Sequence, residues 1–197
     1  LLPEETVTTD YNTPHSGEFE WWSGSADDLN NTLTREIDLT GASSASVSAQ
    51  LATEIEAGYD FLYTEVSTDG GSTWEELAAT DGGDLTWGEV TTDLSAYAGQ
   101  KVQFRWRYQS DGGVSMAGAF IDDITITVDG TAVLTDDVES GDNGWTADGF
   151  TRMSGSTSEK VQSYYLAENR VYSGYDENLK TGPYNFGDPE RPDWVRS

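Results

Sequence analysis

Four stretches of this chain repeat one pattern, in which every second residue is apolar or aromatic and those between are polar: residues 46–55 (SVSAQLATEI), 59–67 (YDFLYTEVS), 101–109 (KVQFRWRYQ) and 120–128 (FIDDITITV). A two-residue period belongs to a strand with one buried and one wet face. Gly-Tyr, Asp-Gly-Gly and Asp-Gly turn signals separate the runs at short spacing. No stretch carries a helical period beyond a single turn at 93–99 (DLSAYAG). The pattern therefore predicts an all-β chain folded as an antiparallel β-sandwich.

One turn has a recognisable form. Residues 67–74, STDGGSTW, fit the Asp-box S-x-D-x-G-x-T-W, which recurs around sialidase propellers. A propeller requires several copies, and here the box occurs once. Its place after the run 59–67 assigns it to a hairpin, with Asp69, Gly70 and Gly71 supplying positive φ and Trp74 capping the core edge.

The charge balance narrows the partners. With 36 acidic against 10 basic residues the formal charge is −26, which repels nucleic acid and anionic membrane surfaces. The acids are dispersed among Thr, Ser and Gly, as on a solvated folded surface. Such a balance suits high salt, and a salt-loving source is carried as a hypothesis. Cysteine is absent, so neither disulfides nor thiolate metal sites can form. No apolar run is long enough to span a bilayer as a helix, and the N-terminus LLPEETVTTD lacks a starting Met and a basic n-region. The chain reads as a mature product or an excised piece.

A composition shift near Gly130 suggests two parts: a sandwich with its N-terminal entry segment over 1–130, and a smaller β and irregular segment over 131–197 that packs on the sandwich or on a catalytic domain missing from this chain. The second part holds a strand candidate at 161–170 (VQSYYLAENR) and an aromatic tail at 174–197.

Nothing in the sequence nominates a catalytic group. The one histidine, His15, lies in a Pro/Ser/Gly-rich entry segment, which reads as solvent-exposed, and one imidazole is too few for a triad or a three-ligand zinc site. Carboxylate pairs arise by chance in so acidic a chain, so no glycosidase pair stands out. Calcium is better supported, because it takes six to eight hard oxygens and acidic loops beside strands provide them. Strict alternation through 120–124 places Asp122 inward with Phe120 and Ile124, and Asp123 on the other face with Ile121; an inward carboxylate wants a partner or a metal. Glu18 and Glu20 share a face on an early strand. The metal-ligand candidates are thus Asp122 and Glu20 first, Asp123 and Glu18 second; the alternative is acids that are solvated or capped by backbone amides. Trp21, Trp22, Trp74, Trp87, Trp106 and Tyr108 could line a sugar-binding face or fill the core.

Several stretches in order make a resemblance: WWSG (21–24), YDFLYTEVSTDGGSTWEEL (59–77), DLSAYAGQKVQFRWRYQSDGG (93–113), AGAFIDDITI (117–126), DDVESGDNGW (136–145) and YYLAENRVYSGYDENL (164–179). Together they resemble the region after the catalytic domain in the immune inhibitor A family of secreted zinc metallopeptidases. The resemblance implies a jelly-roll sandwich of the MAM and carbohydrate-binding-module type, followed by a segment that packs back on the peptidase. It also implies a structural calcium where opening and closing strands meet, the catalytic domain of the same precursor as partner, and an extracellular location. The family's zinc motif H-E-x-x-H is missing here, so no zinc is expected on this chain.

The expected function is a non-catalytic accessory region that stabilises or positions a metallopeptidase. The rival is a free-standing module that binds glycan or cell-surface polymer through Trp and Tyr side chains.

Overall fold

The computed structural model describes residues 3–162. Its strands are β1 (Glu4–Asp10), β2 (Glu20–Trp22), β3 (Asn30–Asp38), β4 (Ala45–Glu54), β5 (Phe61–Ser67), β6 (Glu75–Thr80), β7 (Gly88–Asp93), β8 (Lys101–Gln109), β9 (Gly118–Val128), β10 (Thr131–Asp136), β11 (Thr146–Asp148), β12 (Thr151–Met153) and β13 (Ser156–Gln162). The expected helical turn is a short 3-10 segment, Ser95–Tyr97. All four alternating runs are strands, each within two residues of the expected ends.

Two antiparallel sheets form the sandwich. One has the order β12-β2-β9-β4-β7, with β10 also on β9; the other has the order β11-β3-β8-β5-β6. β1 and β13 pair as a separate two-stranded sheet. In β8 the alternation is unbroken: Val102, Phe104, Trp106 and Tyr108 are buried, while Gln103, Arg105 and Arg107 are half-buried on the other face. Leu33, Ile37, Leu62, Val66, Phe104 and Trp106 from the five-stranded sheet share one core with Val47, Leu51, Ile121, Ile124 and Ile126 from the six-stranded sheet. Removing that apolar surface from water drives the closure of the two sheets.

The break expected at residue 130 requires correction. Asp129 and Gly130 both have positive φ and form the two-residue turn joining β9 to β10, in which Thr131 pairs with Val128. Beyond it β11 pairs with β3 and β12 with β2. Trp145 and Phe150 belong to the main core, and Trp145 stacks on Trp106 with ring centroids 5.3 Å apart. The local Gly/Asp-rich composition hides these two aromatics, which together with the pairings of β10, β11 and β12 bind the segment to the sandwich. One compact unit accordingly spans Thr8–Glu159. The other unit's described residues are 3–7 and 160–162. Most of the strand candidate 161–170 and all of the tail 174–197 lie outside the described residues.

Candidate functional site

Two of the four candidates, Glu20 and Asp122, meet on β2 and β9. The register pairs Trp21 with Ile121 and Trp22 with Phe120, so Glu20 and Asp122 stand opposite one another at the next position. Both are fully buried. Their face differs from the one expected. On β4, Ser48 pairs with Thr125 but Gln50 with Asp122, so β9 carries an extra residue there, and Asp123 adopts a left-handed φ of 46°. This bulge breaks the strict alternation. Ile121 and Ile124 both enter the inter-sheet core, whereas Phe120 joins a second cluster with Ala52, Ala117 and Met153, flanked by Tyr11, Trp22, Leu85 and Trp87. Glu20 and Asp122 follow Trp22 and Phe120 onto that outer face.

The entry segment covers the pair. Ser16 N–H donates to Asp122 Oδ2 at 3.0 Å, and Asp123 N–H to Asp122 Oδ1 at 2.7 Å. Asn12 Nδ2 donates to Glu20 Oε2 at 3.3 Å, while Glu20 Oε1 is buried and has no hydrogen-bond partner among the described residues. Burial first, and then the Asp122 charge, push the Glu20 carboxyl from its ordinary 4.5 up to about 8 against the Asn12 bond. Burial likewise lifts Asp122 to about 6, against the amide bonds from Ser16 and Asp123.

The lesser candidates stand apart from this pair. Asp123 Oδ2 is 2.6 Å from His15 Nδ1, and its Oδ1 accepts from Ser16 Oγ at 2.8 Å. His15 is exposed, as expected, but it is tied to Asp123 and set edge-on to Trp87. Glu18 is exposed, and its N–H donates to Glu139 Oε1 at 2.8 Å. Among the described residues no three His, Cys, Asp or Glu side chains gather in a metal-ligand group. Any ion at Glu20 and Asp122 would need amide, carbonyl or water oxygens as well.

The Asp-box is a self-contained turn. Asp69 accepts from Thr73 N–H at 2.9 Å, Thr73 Oγ1 at 2.7 Å and Ser67 Oγ at 2.7 Å, and the Thr73 bonds lead in holding its carboxyl down at about 2. Trp74 does not cap the core edge as expected: its ring lies under Arg105, whose side chain belongs to the outer face of the five-stranded sheet. Of the aromatics considered for sugar stacking, Trp21, Trp106 and Tyr108 are buried packing residues. Trp22 is covered by Tyr11, and the Trp87 indole N–H is bound to Thr13 O at 2.9 Å.

The fold is thus a two-sheet antiparallel sandwich with a buried acid pair beneath its entry segment. Residues 1–155 match the family described as "Immune inhibitor A-like, MAM domain", and this chain belongs to that family. It is 36% identical over 198 residues to Immune inhibitor A of Bacillus thuringiensis subsp. alesti, a match covering 94% of this chain and 28% of that protein. It is 32% identical over 178 residues to the pre-pro-metalloprotease PrtV of Vibrio cholerae serotype O1 (strain M66-2), covering 84% of this chain and 19% of that protein. The chain therefore spans less than a third of the length of these relatives. Among solved structures, TmCBM61 in complex with β-1,4-galactotriose is similar at 17% identity, with a TM-score of 0.43 over 63% of this chain and 82% of that one.

Proposed function

We propose that this chain is a non-catalytic accessory region of a secreted metallopeptidase of the immune inhibitor A type, and that it stabilises or positions the peptidase domain of the same precursor. The observation that carries this reading is coverage: nearly the whole chain aligns with a minor part of much longer proteases, and its 197 residues lack H-E-x-x-H. A peptidase that relies on this region should lose thermal stability when it is deleted. The test compares the full precursor product with a version lacking the sandwich, by unfolding temperature and by zinc-dependent casein cleavage. The isolated chain should cleave no casein with or without added zinc, having one imidazole where a three-ligand zinc site needs more. Zinc-dependent turnover by the isolated chain overturns the reading.

Structural calcium is part of the proposal, with Glu20 and Asp122 as the carboxylates that would hold it. Support comes from the Glu20 oxygen that has no partner among the described residues and from the burial of two acids side by side, which a divalent cation compensates. Asn12 adds a third hard oxygen if its amide presents Oδ1 to the ion in place of Nδ2. The ion would hold both acids ionised and fasten the entry segment to β2 and β9.

A further inference from the structure

We propose that the groove on the outer face of the five-stranded sheet, built around Arg105 and Arg107, is a binding site for a short, uncharged glycan. It goes beyond the accessory role, which stands or falls separately.

The groove follows from the register of β3, β8 and β5. Arg107 stands between Thr32 and Tyr63, Arg105 between Thr34 and Glu65, and Gln109 between Asn30 and Phe61. Alternation turns these side chains away from the core, since their neighbours Phe104, Trp106, Tyr108, Leu62 and Thr64 are buried within it. The resulting depression is open to solvent and measures about 510 Å³, large enough for one or two pyranose rings.

Its floor is rigid. Glu65, only 5% exposed, receives Arg105 Nε at 2.6 Å and Arg107 Nη2 at 2.8 Å, so one carboxylate fixes both guanidiniums. Arg105 is stacked 3.7 Å from the centre of the Trp74 ring and Arg107 4.2 Å from that of Tyr63. Arginine side chains so held lose little further freedom on meeting a ligand. Arg107 is largely engaged: its Nε and Nη2 bind Glu65, and its Nη1 donates to Gln109 Oε1 at 2.7 Å and to Asn30 Oδ1 at 3.5 Å, which orients both amides. Arg105 is not. Among the described residues it donates only through Nε, which leaves its two terminal NH₂ groups as a planar fork at the groove.

Charge and chemistry select the ligand. The two cations are balanced by Glu65 and Asp28 in the same lining, and the chain as a whole carries −26, so an anion finds no net attraction. The groups left over are mixed: donors on Arg105, the amide NH₂ groups of Asn30 and Gln109, whose oxygens accept from Arg107, and a carboxylate on Asp28. A hydroxyl donates and accepts at once, and two adjacent equatorial hydroxyls suit a guanidinium fork on one side and a carboxylate on the other. The faces of Trp74 and Tyr63 turned toward the arginines are already occupied, so recognition rests on hydrogen bonds more than on ring stacking. Such polar, shallow sites bind weakly, with Kd on the order of 0.1–1 mM.

The test titrates the 197-residue chain with neutral trisaccharides of galactose, glucose, mannose and N-acetylglucosamine, and with a matching trisaccharide of galacturonic acid. Intrinsic tryptophan fluorescence reports through Trp74, and calorimetry provides Kd. At least one neutral trisaccharide should saturate, the uronate should bind more weakly, and Arg105→Ala should weaken binding by about 10-fold or more. Asn30→Ala and Gln109→Ala, at exposed positions, should weaken it about 3–10-fold without lowering the unfolding temperature, which keeps the test decisive if Arg105→Ala is unstable. The proposal is overturned if no neutral sugar binds up to about 10 mM, if the uronate binds more tightly than its neutral counterpart, or if binding survives in the Asn30 and Gln109 variants unchanged.

Discussion

Glu20 on β2 and Asp122 on β9 face each other as a fully buried pair, and one oxygen of Glu20 has no partner among the described residues. In the metal-free fold this arrangement favours protons. Glu20 moves from its ordinary 4.5 to about 8, so between those values the folded state binds more protons than the unfolded chain and stability falls as pH rises. Asp122, raised from 3.8 to about 6, acts in the same direction over the lower part of that window. In EDTA the unfolding temperature should fall between pH 5 and pH 8, and Glu20→Gln should flatten that fall. An unchanged slope in the variant would show that Glu20 ionises freely.

The turn 67–74 makes a second, independent prediction. Gly70 and Gly71 have φ of 74° and 91°, and a Cβ at Gly70 would meet nothing within 4 Å, so the obstacle there is backbone conformation and not space. Gly70→Val should cost about 1–2 kcal/mol, and Gly70→Asn, which tolerates left-handed φ, clearly less. Equal melting temperatures for the two variants would contradict the assigned turn.

Glu65 anchors the outer face of the five-stranded sheet. Burial alone would raise its carboxyl, but the hydrogen bonds from Arg107 and Arg105 outweigh this and hold it below the ordinary 4.5. That contribution is present above the unfolded value and is lost as pH falls through the folded one. Glu65→Ala strands two half-buried guanidiniums and should cost on the order of 3 kcal/mol, a drop of roughly 6–12 °C. Restoring most of that loss by adding Arg105→Met and Arg107→Met would show the cost to be the stranded charge; a silent Glu65→Ala would show that the cluster contributes nothing to stability.

Strands with one wet face were legible because their alternation is local: the run 101–109 is β8 to the residue. The acid pair was half legible. Alternation singled out Asp122, but the bulge at Asp123 depends on the pairing of β9 with β4, which no local window contains, and so the buried face was misassigned. The boundary at 130 failed for a related reason: Trp145 and Phe150 reach the core from a stretch whose own composition reads as loop. The groove at Arg105 left no local signal either, since it requires three strands in register, although the alternate polar positions of KVQFRWRYQ held both arginines in view.

The last prediction joins metal to proton. A cation at Glu20 and Asp122 needs both carboxylates ionised, so calcium must displace the proton that Glu20 retains up to about pH 8. Calcium should therefore raise the unfolding temperature more at pH 8 than at pH 6. The comparison belongs at high ionic strength, because in a chain of charge −26 any divalent ion also stabilises by screening. A ligand confined to the folded state adds about 2.7 kcal/mol at a hundredfold excess over Kd, or several degrees, and magnesium, with its tighter octahedral shell, should substitute poorly. Glu20→Gln then has opposite effects in the two conditions. Without calcium at pH 8 it removes a buried charge and should raise the unfolding temperature above that of the natural chain; with saturating calcium it removes a ligand and should leave the variant the less stable of the two. Asp122→Asn should lose the calcium response as well. If EDTA has no effect at high salt, or if Glu20→Gln shifts stability the same way with and without calcium, these two carboxylates hold no ion.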